Sequence, residues 1–208
     1  MPRKPDPHIT RKRFDRIARL YDFLEWPIEH FRFASWRARL RERIRGERVL
    51  EAGVGTGKNL PYYPEDLDIT AIDISPRMLE RARARAIKIG SKVELLEKDV
   101  QQLDFPNHYF DTIFATFVFC SVPDPAAGLQ ELRRVCKPNG RLFLLEHVRP
   151  GNGVLGRIFD FFNPVVVRMV GANVNRQTLD NVRVAGCRIQ MAEPFASDIV
   201  QWIEVIPQ

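Results

Sequence analysis

From Arg48 onward the chain alternates short apolar runs with longer segments whose apolar residues recur every three to four positions. The runs predict strands over Arg48 to Ala52, Asp68 to Ile72, Lys92 to Glu97, Phe110 to Thr116 and Gly140 to Glu146. Between them, amphipathic spacing predicts helices over Asn59 to Tyr63, Pro76 to Ile89 and Ala126 to Val135, the last stopped by Lys137-Pro138-Asn139-Gly140. A less regular stretch follows Pro150, then a helix over Thr178 to Ala185 and two more strands, Arg188 to Glu193 and Ile199 to Ile206. Strands alternating with helices bury both faces of a sheet, so the expected class is α/β: a doubly wound, mostly parallel, seven-stranded sheet with helices on both faces.

Two helical patterns precede the sheet. Ile9 to Trp26 places Phe14, Ile17, Leu20, Tyr21 and Leu24 at helical spacing, with Arg11, Lys12, Arg13, Arg16 and Arg19 largely elsewhere. After Pro27, a second helix uses Ile28, Phe31, Trp36, Leu40 and Ile44, with arginines between them, and ends at Gly46. The expected division is a basic helical cap over residues 1–46 and a sheet domain over 47–208. With 208 residues, 45% of them hydrophobic, the chain can bury one real core but is short for two large domains.

Charge changes this picture by its position. Up to Arg48 there are 14 Lys/Arg against 7 Asp/Glu, whereas the remainder has 18 against 19, within a net charge of +6. Such a basic segment suits nucleic acid, an anionic membrane surface or an acidic substrate, and charge alone does not choose. Cys120, Cys136 and Cys187 are odd in number and fit neither a disulfide framework nor a CxxC zinc site, so they read as reduced thiols in a cytoplasm, with no metal expected. The apolar stretches around Phe114 to Val122 and Pro164 to Val170 fall short of the ~18 to 20 residues of a membrane span. MPRKPDPHITRKRF lacks the apolar core of a secretory signal.

The candidate chemistry begins at Val49-Leu50-Glu51-Ala52-Gly53-Val54-Gly55-Thr56-Gly57-Lys58-Asn59-Leu60, a strand entering a glycine-rich turn. A dinucleotide fingerprint would need glycine where Lys58 stands, and a P-loop would need it where Ala52 stands. Glu51 beside the loop would repel a pyrophosphate but suits a cationic amino group. The next strand ends at Asp73, 20 residues after Gly53, where doubly wound folds bind ribose hydroxyls. A third acid, Asp99, follows the third strand, where an adenine amino group can be read. Acids at three successive strand ends describe a ligand with a ribose, an adenine and a positive end but no phosphates, which is S-adenosylmethionine (SAM).

The pieces LEAGVGTG, ITAIDIS, LEKDVQQLDF, FDTIFATFVFCSV and LRRVCKPNGRLFLLEH, in order, resemble the motifs of class I SAM-dependent methyltransferases, whose fold is Rossmann-like, over about Arg48 to His147. The resemblance implies that Gly53, Gly55, Gly57 and Asn59 shape the methionine side of the pocket and that Glu51 lies near the amino group. Asp73 would hold the ribose, Ile74 and Met78 would flank the adenine, and Asp99 with the Val100 amide would read its edge. Thr116 and Phe117 would face the methionine and methyl group, with S-adenosyl-L-homocysteine as product. Tyr21, in a helix that usually closes over the cofactor, and His147, at the end of the fifth strand, are the candidate catalytic groups, as hydrogen-bond acceptors for a methyl acceptor that must lose a proton.

ARLYDFLEWPIE, LFLLEHV and GANVNRQTLDNVRVAGC resemble the group containing bacterial phosphatidylethanolamine N-methyltransferases, ubiquinone/menaquinone C-methyltransferases and membrane-associated thiol methyltransferases. In that resemblance residues of about 150–177 form an acceptor lid, Tyr21 touches the acceptor, and Arg176 anchors an acidic group. The phospholipid branch fits better, with a lipid or small-molecule acceptor and a monomer or weak dimer expected. The alternatives are a quinone ring or a small thiol as acceptor, and an RNA methyltransferase. Nucleic acid is disfavoured because the fourth strand runs into Phe119-Cys120-Ser121-Val122-Pro123 in place of an Asn/Asp-Pro-Pro-aromatic motif. The basic N-terminal helix can lie on an anionic inner membrane face, and apolar residues from Leu155 to Val167 offer a second surface for lipid. Both stretches could equally pack inward.

Overall fold

Seven strands, β1 (Arg48–Ala52), β2 (Asp68–Asp73), β3 (Glu94–Glu97), β4 (Phe110–Thr116), β5 (Cys136–His147), β6 (Arg188–Ser197) and β7 (Val200–Ile206), form one sheet in the order β3-β2-β1-β4-β5-β7-β6. The first five are parallel, while β7 runs antiparallel to both β5 and β6. The structure is a computed structural model that describes residues 6–28, 34–151, 153–197 and 199–207; the side chains of 19–28, 34–36, 38, 169–170 and 195–197 lie outside that description.

Alternation along each strand sorts the core into two layers. Leu50, Ile113, Leu142 and Leu144 pack on one face with Leu129 and Leu132 of α4 (Pro125–Val135) and Val182 of α6 (Thr178–Val184). On the other face Val49, Phe114, Phe143 and Trp202 pack with Leu79 of α3 (Pro76–Ile89) and Leu40 of α2 (Ala34–Arg43). Helix α3 begins where its sequence says it should: the Ser75 hydroxyl accepts the Met78 amide at 3.2 Å, Pro76 opens the first turn, and Gly90 closes the helix at φ +69°. Asp124 caps α4 in the same way, accepting from Ala127 N at 3.1 Å.

Several elements depart from the sequence reading. Helix α1 (Pro7–Ile28) continues through Pro27, and α2 starts only at Ala34. Asn59 to Tyr63 forms a single 3₁₀ turn, Leu60–Tyr62, too short to close an α-helical repeat. The stop signal at residues 137–140 lies inside β5: Phe110 pairs with Cys136 but Thr112 with Arg141, so the turn bulges out of a continuing ladder. The stretch after Pro150 is an 18-residue helix, α5 (Gly153–Val170), despite Pro164 within it.

Strand β1 has β2 on one side and β4 on the other, so the chain's winding reverses between β1 and β4. A crevice opens beyond their carboxyl ends, the place where doubly wound sheets bind ligands.

Candidate active site

The crevice is a cleft lined by residues from four segments: Gly53 and Gly55 after β1, Asp73, Ile74 and Met78 at and after the end of β2, Lys98, Asp99 and Val100 after β3, and Thr116, Phe117, Val118, Ser121, Val122 and Pro123 at and after the end of β4. Thr10 and Phe14 of α1 cover it. Gly55 sits at φ +55° with nothing within 4 Å of where a Cβ would stand, so its bare backbone borders open space. Gly57, at φ +80°, does the opposite: a Cβ there would come within 3.2 Å of the Ala82 backbone, which seats the loop on α3.

Asp73 ties two of these segments together. Its Oδ2 accepts the Gly55 amide at 2.9 Å and its Oδ1 the Ser75 amide at 2.8 Å. Burial pushes its pKa up to about 6; the Ser75 and Gly55 amides oppose this, and the nearby Asp15 carboxylate adds to it. Asp15 belongs to α1 and accepts the Ser75 hydroxyl at 2.6 Å. The Arg11–Glu97 ion pair at 2.9 Å and a Thr10 hydroxyl bond to the Ser121 carbonyl at 3.3 Å complete the fastening of α1 over the cleft.

Glu51 is wholly buried beneath the glycine loop. Its carboxylate accepts the Asn59 amide at 2.6 Å and the Tyr63 hydroxyl, and Arg37 donates to the Asn59 carbonyl oxygen. Burial pushes Glu51 up to about 8, against the pull of Asn59 and the Arg37 charge. The opposite wall depends on Glu146, also wholly buried, whose Oε1 accepts the amides of Val118 at 2.8 Å and Phe119 at 3.0 Å. Burial pushes Glu146 up to about 8 as well, opposed by the amides of residues 118–120 and the Arg176 charge. Just before these amides Phe117 holds φ +58°, a conformation that a bulky residue keeps only when its surroundings impose it.

Known proteins show what kind of cleft this is. The family described as methyltransferase domain matches residues 50–144. Over 152 residues the chain is 37% identical to a Cereibacter sphaeroides protein named phosphatidylethanolamine N-methyltransferase, an overlap of 69% of this chain and 74% of that one. The chain belongs to the class I SAM-dependent methyltransferases. A Thermotoga maritima demethylmenaquinone methyltransferase is 36% identical over 165 residues, 76% of this chain and 70% of its own. Among solved structures, a SAM-dependent methyltransferase from Aquifex aeolicus matches with a TM-score of 0.64 at 21% identity, over 99% of this chain and 100% of the other, a likeness of fold.

The methyltransferase cleft fits the family's donor on its own geometry. The open backbone at Gly55, a carboxylate at the end of β2 and the Asp99–Val100 pair after β3 offer the hydroxyl, amine and edge partners that an adenosine with a positive tail needs. Gly53, Gly55, Asp73, Ile74, Met78, Asp99, Val100, Thr116 and Phe117 all line it. Glu51, Gly57 and Asn59 do not: they form the layer beneath, where Asn59 bonds Glu51 and, at 3.3 Å, Thr116.

His147 and Arg176 both stand back from the cleft surface. His147 is not among the lining residues; alternation at the end of β5 separates it from Glu146, and its ring packs against Phe117 at 4.7 Å between centroids. Arg176 is turned inward, its Nη2 donating to the Val122 carbonyl at 2.8 Å, and burial pulls its pKa down. The side chain of Tyr21 lies outside the described residues. Sequence reasoning missed Phe14 and Thr10 as cleft residues and gave Glu146 no role. The available signal for Glu146 was a lone acid closing the apolar run Leu142–Leu145.

Proposed function

We propose that this methyltransferase N-methylates a phospholipid headgroup amine, converting phosphatidylethanolamine towards phosphatidylcholine, at the inner face of a membrane. The 37% identity to the phosphatidylethanolamine N-methyltransferase, across 74% of that protein, carries the reading. Phe14, Phe117, Val118, Val122 and Pro123 give the cleft a largely dry wall, which favours an acceptor that sheds water before it reacts.

SAM, when bound, supplies an electrophilic methyl carbon on a positively charged sulfur, so no protein nucleophile is required. In this reading Asp73 accepts the ribose hydroxyls, Asp99 and the Val100 amide take the adenine edge, and Ile74 and Met78 flank its faces. Glu51 sets the electrostatics at the methionine end through Asn59. Tyr21 accepts a hydrogen bond from the acceptor amine, whose proton passes on to solvent, and His147 acts from behind Phe117 to hold the wall that orients the amine. Arg176 braces the Val122 wall from within, and the exposed Lys12 and Arg16 of α1 meet the headgroup phosphates of anionic lipid.

A second reading, C-methylation of a quinone ring, is favoured by the 36% identity to the demethylmenaquinone methyltransferase. Methyl transfer from labelled SAM to phosphatidylethanolamine vesicles, a demethyl-quinone and a small alkyl thiol, run in parallel, separates the readings. Label in mono-, di- or trimethylated phospholipid supports the first; label in quinone or thiol alone overturns it.

A further inference from the structure

Six of the ten exposed large hydrophobic side chains among the described residues belong to α5, so this helix is the apolar surface to explain. Ile158, Phe161, Phe162 and Val165, between 45% and 77% exposed, follow one another at helical spacing and share one face with Val154 and Leu155. The phenyl rings of Phe161 and Phe162 meet edge to face at 5.2 Å and line a shallow groove with Ile158 and Arg157. At 100° per residue, Arg157 and Arg168 fall along one border of this face. The helix has one acid, Asp160, on the far side, where Arg149 holds it at 2.8 Å and Asn175 at 3.0 Å.

Helix α1 differs among the residues whose side chains are described. Phe14 lines the cleft and Ala18 is buried, which leaves Lys12 and Arg16 exposed. No helix among the described residues is long and apolar enough to cross a membrane. An apolar face of about 120° bordered by arginines has the form of a helix lying in the headgroup region.

We infer that α5 is the lipid-inserting element of this protein: its apolar face enters the surface of an anionic bilayer while Arg157 and Arg168 meet the headgroups. The placement bears on the cleft. From the rear of α5, Asn163 Nδ2 donates to the Asn173 side-chain oxygen at 3.1 Å, and the main-chain and side-chain amides of Asn173 donate to the Cys120 carbonyl at 2.8 and 3.1 Å. Cys120 lies in the loop that walls the cleft at Val118, Ser121 and Val122. Seating α5 in lipid therefore sets the acceptor wall of the cleft against the membrane. This deepens the lipid-acceptor reading, although binding to lipid does not depend on which acceptor is methylated.

The test is cosedimentation of the full chain with vesicles of phosphatidylcholine alone or mixed with phosphatidylglycerol, at low and high salt. The variant is Phe161→Ser/Phe162→Ser, and the control is Ile87→Ser, an exposed isoleucine on α3. Wild type and control are expected to bind the anionic vesicles more tightly than the neutral ones. The double variant loses about tenfold in partitioning for each ring removed, with SAM affinity and melting temperature unchanged. Equal vesicle binding by wild type and double variant, or none by wild type, overturns the inference. So does a double variant altered only in its solution mass by sedimentation velocity, since the face then belongs to a second copy of the chain. Vesicle binding that depends on Phe161 and Phe162, in a protein that labels only quinone or thiol, upholds the inference while the phospholipid reading fails.

Discussion

The imidazole of His147 packs on the ring of Phe117 at 4.7 Å between centroids and a tilt of 34°, so the residue expected to do proton chemistry touches the cleft through an intermediary. Phe117 is also the residue held at φ +58°. His147→Phe preserves the ring contact and is expected to keep kcat within about threefold of wild type, whereas His147→Ala lets the Phe117 wall shift and lowers kcat about tenfold or more. Steady-state kinetics against pH check this. A positioning role leaves the pH profile of the Phe variant unchanged; loss of the limb near the histidine range in both variants would make His147 the base.

Asp73 gives a prediction with a definite sign. A diol donates its hydrogen bonds best to the ionised carboxylate, so donor binding must expel the proton that burial holds there with a pKa of about 6. Calorimetric SAM affinity is expected to rise as pH increases through about 6 and then level off. Asp73→Asn should weaken binding by roughly ten- to hundredfold and remove that pH dependence. An Asn variant with wild-type affinity would dismiss Asp73 from the ribose site.

The two buried glutamates bear on stability. Glu51 and Glu146 both have folded-state values near 8, above the ordinary 4.5, so the folded protein binds their protons more tightly than the unfolded chain does. Their contribution is therefore full below about pH 4.5 and is lost as pH rises through 8. Melting temperature of the donor-free protein should fall across that window. Glu146→Gln, which resembles the neutral acid, should flatten the fall, while Glu146→Ala abandons the Val118 and Phe119 amides and costs about 2 to 4 kcal/mol by denaturant titration.

The glycines separate binding from folding. A methyl at Gly55 meets open space, so Gly55→Ala should reduce donor affinity with only about 1 kcal/mol of backbone strain. At Gly57 the same change drives a Cβ towards Leu60 and the Ala82 backbone, and is expected to cost about 1 to 3 kcal/mol of stability before affinity is considered. Paired melting and binding curves for the two variants distinguish these effects; similar curves for both would refute the division.

How much of this could be read beforehand depends on how local each signal is. The bounds of β1, β4 and α3 match their expected spans, because period-two alternation, the Ser75–Pro76 start and the Gly90 stop are all written within a few residues of the element they define. Helix α5 was hidden for a related reason. Gly153, Gly156, Pro164 and the Val165–Val167 run each weaken helix propensity.

The site divides along the same line. Order and spacing of the motifs determined the fold, the donor and nine of the cleft-lining residues, since a strand end followed by a turn fixes where its next side chains go. What only the tertiary structure decided was the depth and direction of groups whose partners lie far along the chain. Glu146 holds the amides of Val118 and Phe119, Arg176 turns in towards Val122, and His147 stands behind Phe117. The same is true of the two amphipathic helices, whose sequences suit lipid and core alike. In α1 Phe14 lines the cleft and Ala18 is buried, whereas the apolar face of α5 looks outward, because a helix buries whichever face the completed sheet leaves room to cover.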